Sequence, residues 1–172
     1  KLKGLFSELI FMKNFIIGNN KIKNSIKSWK PFEDTHDFLI NNISVEIKST
    51  TTNPIKKIKI NSIKQLDETL TKKLFLVLVH LKENSGLSLP ELISQIREYL
   101  KKNTSDLYYH FESKLLKEGY QDEHKEFYKD RKFSVINFNF FKIDGNFPRI
   151  RDKDLKEMKI EGIINAQYEI NY

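Results

Sequence analysis

The chain is 172 residues long, with 39% apolar and 31% charged residues and a formal charge of +7. That suffices for one domain with its own core and excludes a disordered chain, while the absence of cysteine excludes disulfides and thiolate metal centres. The positive balance has the right sign for a polyanion such as nucleic acid. It has a second account, because only Arg97, Arg131, Arg149 and Arg151 of 30 basic residues are arginine and a solvated lysine surface carries the same charge. No apolar run approaches the roughly 18–20 residues that span a bilayer. The basic, then apolar opening is interrupted by Ser7, Glu8, Lys13 and Asn14, with no small-residue cleavage site after it. A cytoplasmic protein without membrane contact is expected. One domain over residues 1–172 is expected, either alone or as the C-terminal part of a longer chain, since it opens on Lys1 rather than methionine.

Helical spacing of Leu5, Leu9, Met12 and Ile16, widened by Phe6 and Ile10, predicts a helix over 4–17. An Asn/Lys-rich link follows, then Trp29-Lys30-Pro31-Phe32 and an acidic turn at Glu33-Asp34. The runs DFLI and ISVEIK flank Asn41-Asn42, a two-residue hairpin signal, because Asn tolerates the positive φ of tight hairpin turns. Lys56–Ile60 reads as a further strand. Ser62 then opens a short helix with Ile63, Leu66 and Leu70 on one side. The run LFLVLVHL at 74–81 predicts a central strand buried on both faces. Helices are expected from Ser88 to about Lys102 and over about Asp106–Glu118, the latter ending at Gly119. The last third reads as strand over KFSVINFNFFKI, a turn at Phe147-Pro148-Arg149 and a closing strand near Asn165–Tyr172. This order fits an α/β (α+β) fold with a mixed sheet flanked by helices.

The hairpin carries the chemistry. A two-residue turn at Asn41-Asn42 pairs Ile40 with Ile43, Leu39 with Ser44, Phe38 with Val45 and Asp37 with Glu46. Alternation then gathers Phe38, Ile40, Ile43, Val45 and Ile47 on one face and Asp37, Leu39, Ser44, Glu46 and Lys48 on the other. Two opposed carboxylates have Cβ atoms about 5 Å apart and, at an effective dielectric of about 20, repel by roughly 3 kcal/mol. A divalent cation offsets that: Mg²⁺ favours one or two carboxylates plus water and phosphate oxygens. Lys48, about 6.6 Å further along the strand on the same face, could steady an attacking water or charge building on a phosphate. The alternative is an exposed hairpin face in which Lys48 neutralises the two acids, and spacing alone does not separate the two.

Asp37, an eight-residue gap and Glu46-Ile47-Lys48 resemble the bipartite motif of the PD-(D/E)XK nuclease superfamily, with its restriction-endonuclease-like fold. The chain is most similar to the bacterial family known as PD-(D/E)XK motif proteins, found beside restriction–modification genes. The likeness extends to the helix with Glu8-Leu9-Ile10-Phe11, to Ser62-Ile63-Lys64-Gln65-Leu66 and, more weakly, to Phe147-Pro148-Arg149. His36 stands where the superfamily's name has Pro, a position that varies and does not contact metal.

The resemblance implies an endonuclease that hydrolyses DNA with Mg²⁺, Mn²⁺ serving as substitute, in a restriction or phage-defence setting. Asp37 and Glu46 would bind metal with Glu8 assisting, Lys48 would position the nucleophile, and Gln65 would orient the site near the scissile phosphate. It also implies a homodimer, and a methyltransferase or other defence proteins as partners. A catalytically inactive nucleic-acid-binding or interaction subunit of the same fold is the alternative.

Other residues carry competing accounts. Glu8 could instead be an edge residue paired with a lysine. Gln65, three residues after Ser62, also fits a capping box. The lysines at 56, 57, 59, 64, 72 and 73 suit a phosphate track or a solvated surface. His80 is expected in the core, and His36 could support Asp37. His110 and His124 lack zinc-ligand spacing. Tyr108-Tyr109, Tyr128 and Phe138–Phe141 are expected in the core rather than on a base-stacking surface. No P-loop, dinucleotide loop or nucleophile elbow is present.

Overall fold

The apolar run at 74–81 forms the first half of the longest strand, Lys73–Ser88, and that strand organises the rest. The structure is a computed structural model and describes residues 1–17, 26–30, 35–69, 71–103 and 105–172. In chain order the strands are β1 (Phe38–Ile40), β2 (Ile43–Thr50), β3 (Lys57–Ile60), β4 (Lys73–Ser88), β5 (Lys132–Ile143) and β6 (Tyr168–Asn171). The helices are α1 (Leu2–Phe11), α2 (Leu89–Asn103), α3 (Ser105–Lys117) and α4 (Asp152–Glu157). Four strands form one mixed sheet in the order β1-β2-β4-β5, with β2 and β4 parallel and the two outer pairs antiparallel. A separate antiparallel ribbon pairs β3 with β6.

The side chains of β4 alternate between two cores. Val77, Val79 and Leu81 pack with Leu5, Phe6 and Leu9 of α1 and with Leu92 and Ile96 of α2. Leu74, Leu76 and Leu78 pack with Ile58 and Ile60 of β3, Leu66 and Ile170. Both faces of β4 are therefore covered over residues 74–81, as that continuous apolar run predicts. Ser88 ends the strand and starts α2: its N–H and Oγ donate to Glu91 Oε2 at 2.7 and 2.9 Å, a capping-box arrangement. Within the second register shift on β4, between Glu83 and Leu87, Gly86 has φ +83°, and a Cβ there would lie 2.4 Å from the Phe133 carbonyl oxygen, so only glycine fits.

Several boundaries differ from the sequence reading. The first helix is α-helical only to Phe11 and continues as π-helix over Met12–Ile17. The segment after Ser62 is a single 3₁₀ turn, Ile63–Leu66, too short to show a helical period. Strand β4 runs seven residues past Leu81, because polar residues continue the ladder to β5 after the apolar run has ended. The six-residue α4 escaped the periodicity test for the same want of length. Most of the Asn/Lys-rich link, Pro31-Phe32, the acidic turn at Glu33-Asp34 and Leu70 lie outside the described residues. No helix of the described residues is long and apolar enough to cross a membrane.

Candidate active site

The turn that sets the site is the one the sequence predicts. Asn41 and Asn42 have φ of 51° and 64°, both left-handed, and the ladder pairs Phe38 with Val45, Leu39 with Ser44 and Ile40 with Ile43. The ladder stops there. Asp37 stands in a bend just before β1, where its carbonyl accepts from Lys30 N at 2.8 Å and its Oδ2 accepts from Ile47 N at 2.6 Å. It therefore reaches β2 through its side chain rather than as a ladder partner of Glu46.

The polar face of the hairpin is not exposed. Parallel pairing sets Glu46 beside Leu76 and Lys48 beside Leu78, on the face that packs on the smaller core. Glu46 is 2% exposed and the Lys48 side chain 12%. This removes the reading of two acids neutralised on a solvated surface. Lys48 Nζ lies 2.9 Å from Glu46 Oε1 and donates to Gln65 Oε1 at 2.8 Å. The same Gln65 oxygen accepts from Asn61 N at 2.9 Å, while Ser62 Oγ caps the 3₁₀ turn by accepting from Lys64 N. Gln65 thus closes back on the residue before the cap and orients Lys48 as well.

On α1, Glu8 Oε2 accepts from Trp29 Nε1 at 2.8 Å, with Trp29 fully buried. Glu8 accordingly has a tryptophan partner rather than the surface lysine that was its alternative. All five expected residues, Glu8, Asp37, Glu46, Lys48 and Gln65, line one cleft of about 740 Å³.

Burial pushes the Asp37 carboxyl up to about 6, although the Ile47 N–H and the nearby Lys48 pull it down. Burial and then the Asp37 charge push Glu46 up to about 8 against the opposing pull of Lys48. Glu8 is raised well above the ordinary range by burial, then by Asp37, with the Trp29 hydrogen bond opposing. The common cause is desolvation of like charges that face one another. Among the described residues no three His, Asp or Glu side chains are gathered tightly enough to form a ready-made metal cluster. Two carboxylates nevertheless satisfy the protein share of a Mg²⁺ shell that keeps waters and substrate oxygens. The oxygen-only donor set fits a hard divalent cation, whose charge would hold both carboxyls ionised against the burial and repulsion that raise them.

Two further cleft residues escaped the sequence reading. Glu118 lines the cleft from the turn after α3 and is raised by burial and by Asp37; a glutamate before a terminal glycine reads only as a helix end. Trp29, read only as part of a connecting segment, holds Glu8 from 21 positions away. Of the six lysines considered, only Lys57 and Lys59 line this cleft, so the expected track is gathered in part. His36 is buried but lines a different cavity with Ile63 and Asp67, which does not support a role beside Asp37. His80 is in the core as expected, though its Nε2 has no hydrogen bond among the described residues. The core expectation fails for Tyr109, 73% exposed, and Phe140, 52% exposed, because helix α3 and the edge strand β5 turn those positions outward.

Comparison with known proteins places the chain. The family model described as "Putative PD-(D/E)XK family member, (DUF4420)" matches residues 1–172, and the chain belongs to that family. No curated protein and no solved structure matches it. The mixed α+β fold, with helices flanking a mixed sheet, is consistent with the restriction-endonuclease-like architecture implied by the motif.

Proposed function

We propose that this PD-(D/E)XK family member is a DNA endonuclease that uses Mg²⁺, with Mn²⁺ as a substitute, and that Asp37, Glu46 and Lys48 form its working centre. The observation that carries the reading is the buried pair of Glu46 and Lys48, with Gln65 hydrogen-bonded to Lys48 and the Asp37 carboxylate held by Ile47 N, all lining a single cleft. Burying repelling carboxylates costs several kcal/mol without a compensating charge, and a cation bound there compensates.

Asp37 and Glu46 would hold the ion, with Glu8 reaching it directly or through water. When bound, the ion supplies Lewis-acid charge to a phosphate oxygen and lowers the pKa of a coordinated water. Lys48, steered by Glu46 and Gln65, aims its ammonium at the attacking water and at charge developing on the phosphate. The Asn61 N–H fixes Gln65 Oε1, so the amide that directs Lys48 is itself held. Water attack on phosphorus breaks the bond to one bridging oxygen, which leaves with a proton from solvent. In a restriction or phage-defence setting, two copies acting as a homodimer would cut two strands, with a methyltransferase or another defence protein as partner.

A second reading, a binding subunit that has lost catalysis, draws on the absence of a three-residue metal cluster among the described residues. Incubating supercoiled plasmid with the purified chain in Mg²⁺, Mn²⁺ or EDTA, beside Asp37→Ala, separates the two. The nuclease reading expects metal-dependent nicking that vanishes in the variant. Retardation of DNA on a gel without cleavage in either metal would support the binding subunit instead.

A further inference from the structure

We infer that Lys57 and Lys59 of the β3–β6 ribbon hold a DNA backbone phosphate beside the acidic site, and that the Glu169 carboxylate stands in that phosphate's place until DNA displaces it. This rests on the proposed nuclease reading of the same cleft. Alternation along β3 turns Ile58 and Ile60 into the smaller core, so Lys57 and Lys59 project from the other face of the ribbon. The two lysines sit about 6.8 Å apart along the strand. Glu169 reaches both: it is the ladder partner of Lys59, and its Oε2 accepts from Lys57 Nζ at 2.7 Å. A carboxylate oxygen shared between two ammonium-bearing side chains has the charge and acceptor chemistry of a phosphate oxygen.

All three residues line the cleft that holds Glu46 and Lys48, whereas the lysines at 56, 64, 72 and 73 are not among its described lining residues. That cleft also carries Glu8, Asp37, Glu46 and Glu118, whose charge opposes a polyanion. Lys48 is taken up by Glu46 and Gln65, so the ribbon lysines are placed to draw the backbone in. The Lys57 and Glu169 side chains are 60% and 48% exposed, and a pair so exposed is weak and screened by salt. An arriving phosphate can therefore displace the carboxylate.

Fluorescence anisotropy of a labelled DNA duplex tests this, read in Ca²⁺, a hard cation for oxygen ligands. Nicking of plasmid in Mg²⁺ is scored separately on the wild type. The control is Glu126→Gln, which breaks an exposed pair with Lys129 outside the lining residues and changes the net charge equally. Glu169→Gln should tighten DNA binding by about two- to fivefold beyond that control. Lys57→Ala with Lys59→Ala should weaken binding and lower the slope of log affinity against log salt by about 1–2. In that double variant Glu169→Gln should add no more than the control substitution does. A gain from Glu169→Gln that only equals the control's, a salt slope unchanged without the two lysines, or no DNA binding by the wild type would overturn the inference. Failure of the wild type to nick plasmid overturns the nuclease reading instead, and the anisotropy results still decide the phosphate site.

Discussion

Replacing Asp37 by Asn should stabilise the cation-free protein above about pH 6 and abolish its stabilisation by Mg²⁺. Asn keeps the shape and an oxygen to accept the Ile47 N–H, but removes the charge that raises Glu8, Glu46 and Glu118. A carboxyl raised from 3.8 to about 6 favours folding fully only below 3.8, and that contribution is lost as pH rises through about 6. At 1.36 kcal/mol per pKa unit the loss is about 3 kcal/mol. The variant should therefore gain about 2–3 kcal/mol near pH 8, or a rise in Tm of about 4–12 °C at 2–4 °C per kcal/mol. Differential scanning fluorimetry in EDTA at pH 4 and pH 8, repeated with Mg²⁺, reads all three quantities. The wild type and variant should converge at pH 4. A variant less stable at pH 8, or a gap that does not change with pH, would refute the argument that Asp37 is strained by burial.

Other substitutions separate the roles of the remaining residues. Lys48→Ala should lower cleavage by about 10²–10³-fold while DNA binding largely persists, measured as single-turnover rate against anisotropy. Gln65→Ala removes a charge-assisted hydrogen bond from the Lys48 ammonium, worth about 1.5–3 kcal/mol, and should slow single-turnover cleavage by about 10–100-fold. In the cation-free wild type, Glu46 adds a second loss of stability as pH rises through about 8, so urea midpoints should fall between pH 5 and 9 and recover with Mg²⁺. Trp29→Phe removes the donor to Glu8 and should cost about 1–3 kcal/mol in urea unfolding, more if the space left by the ring does not close.

The hairpin was legible because its information is local. Two asparagines that tolerate positive φ fix the turn, the turn fixes the register, and the register decides the face of every side chain to Thr50. What that face meets is not local. Glu46 and Lys48 lie beside the parallel strand β4, on the face that packs with Ile58 and Leu66, all ten or more residues downstream, and no spacing within the hairpin reports them. Likewise the position of Glu8 on the apolar stripe implied a buried partner but not that Trp29 would supply it. Gln65 shows how a capping-box pattern can host another structure: Ser62 Oγ caps the turn through Lys64 N rather than Gln65 N, and the glutamine oxygen binds Asn61 N and Lys48 instead of the cap's own N–H. Glu118 carried no readable signal, since its place in the cleft comes from the path of α3 rather than from its neighbours in sequence.

The central claim, that half-buried Asp37 and buried Glu46 form a divalent-cation site, is tested most directly by titrating Mn²⁺ into the purified chain near pH 7.5. Free Mn²⁺ is followed by electron paramagnetic resonance, beside Asp37→Asn and Glu46→Gln. The account predicts saturable binding to the wild type, competed by Mg²⁺ and weakened at least about tenfold in each variant. Equal binding by all three proteins, or none by the wild type, would contradict it.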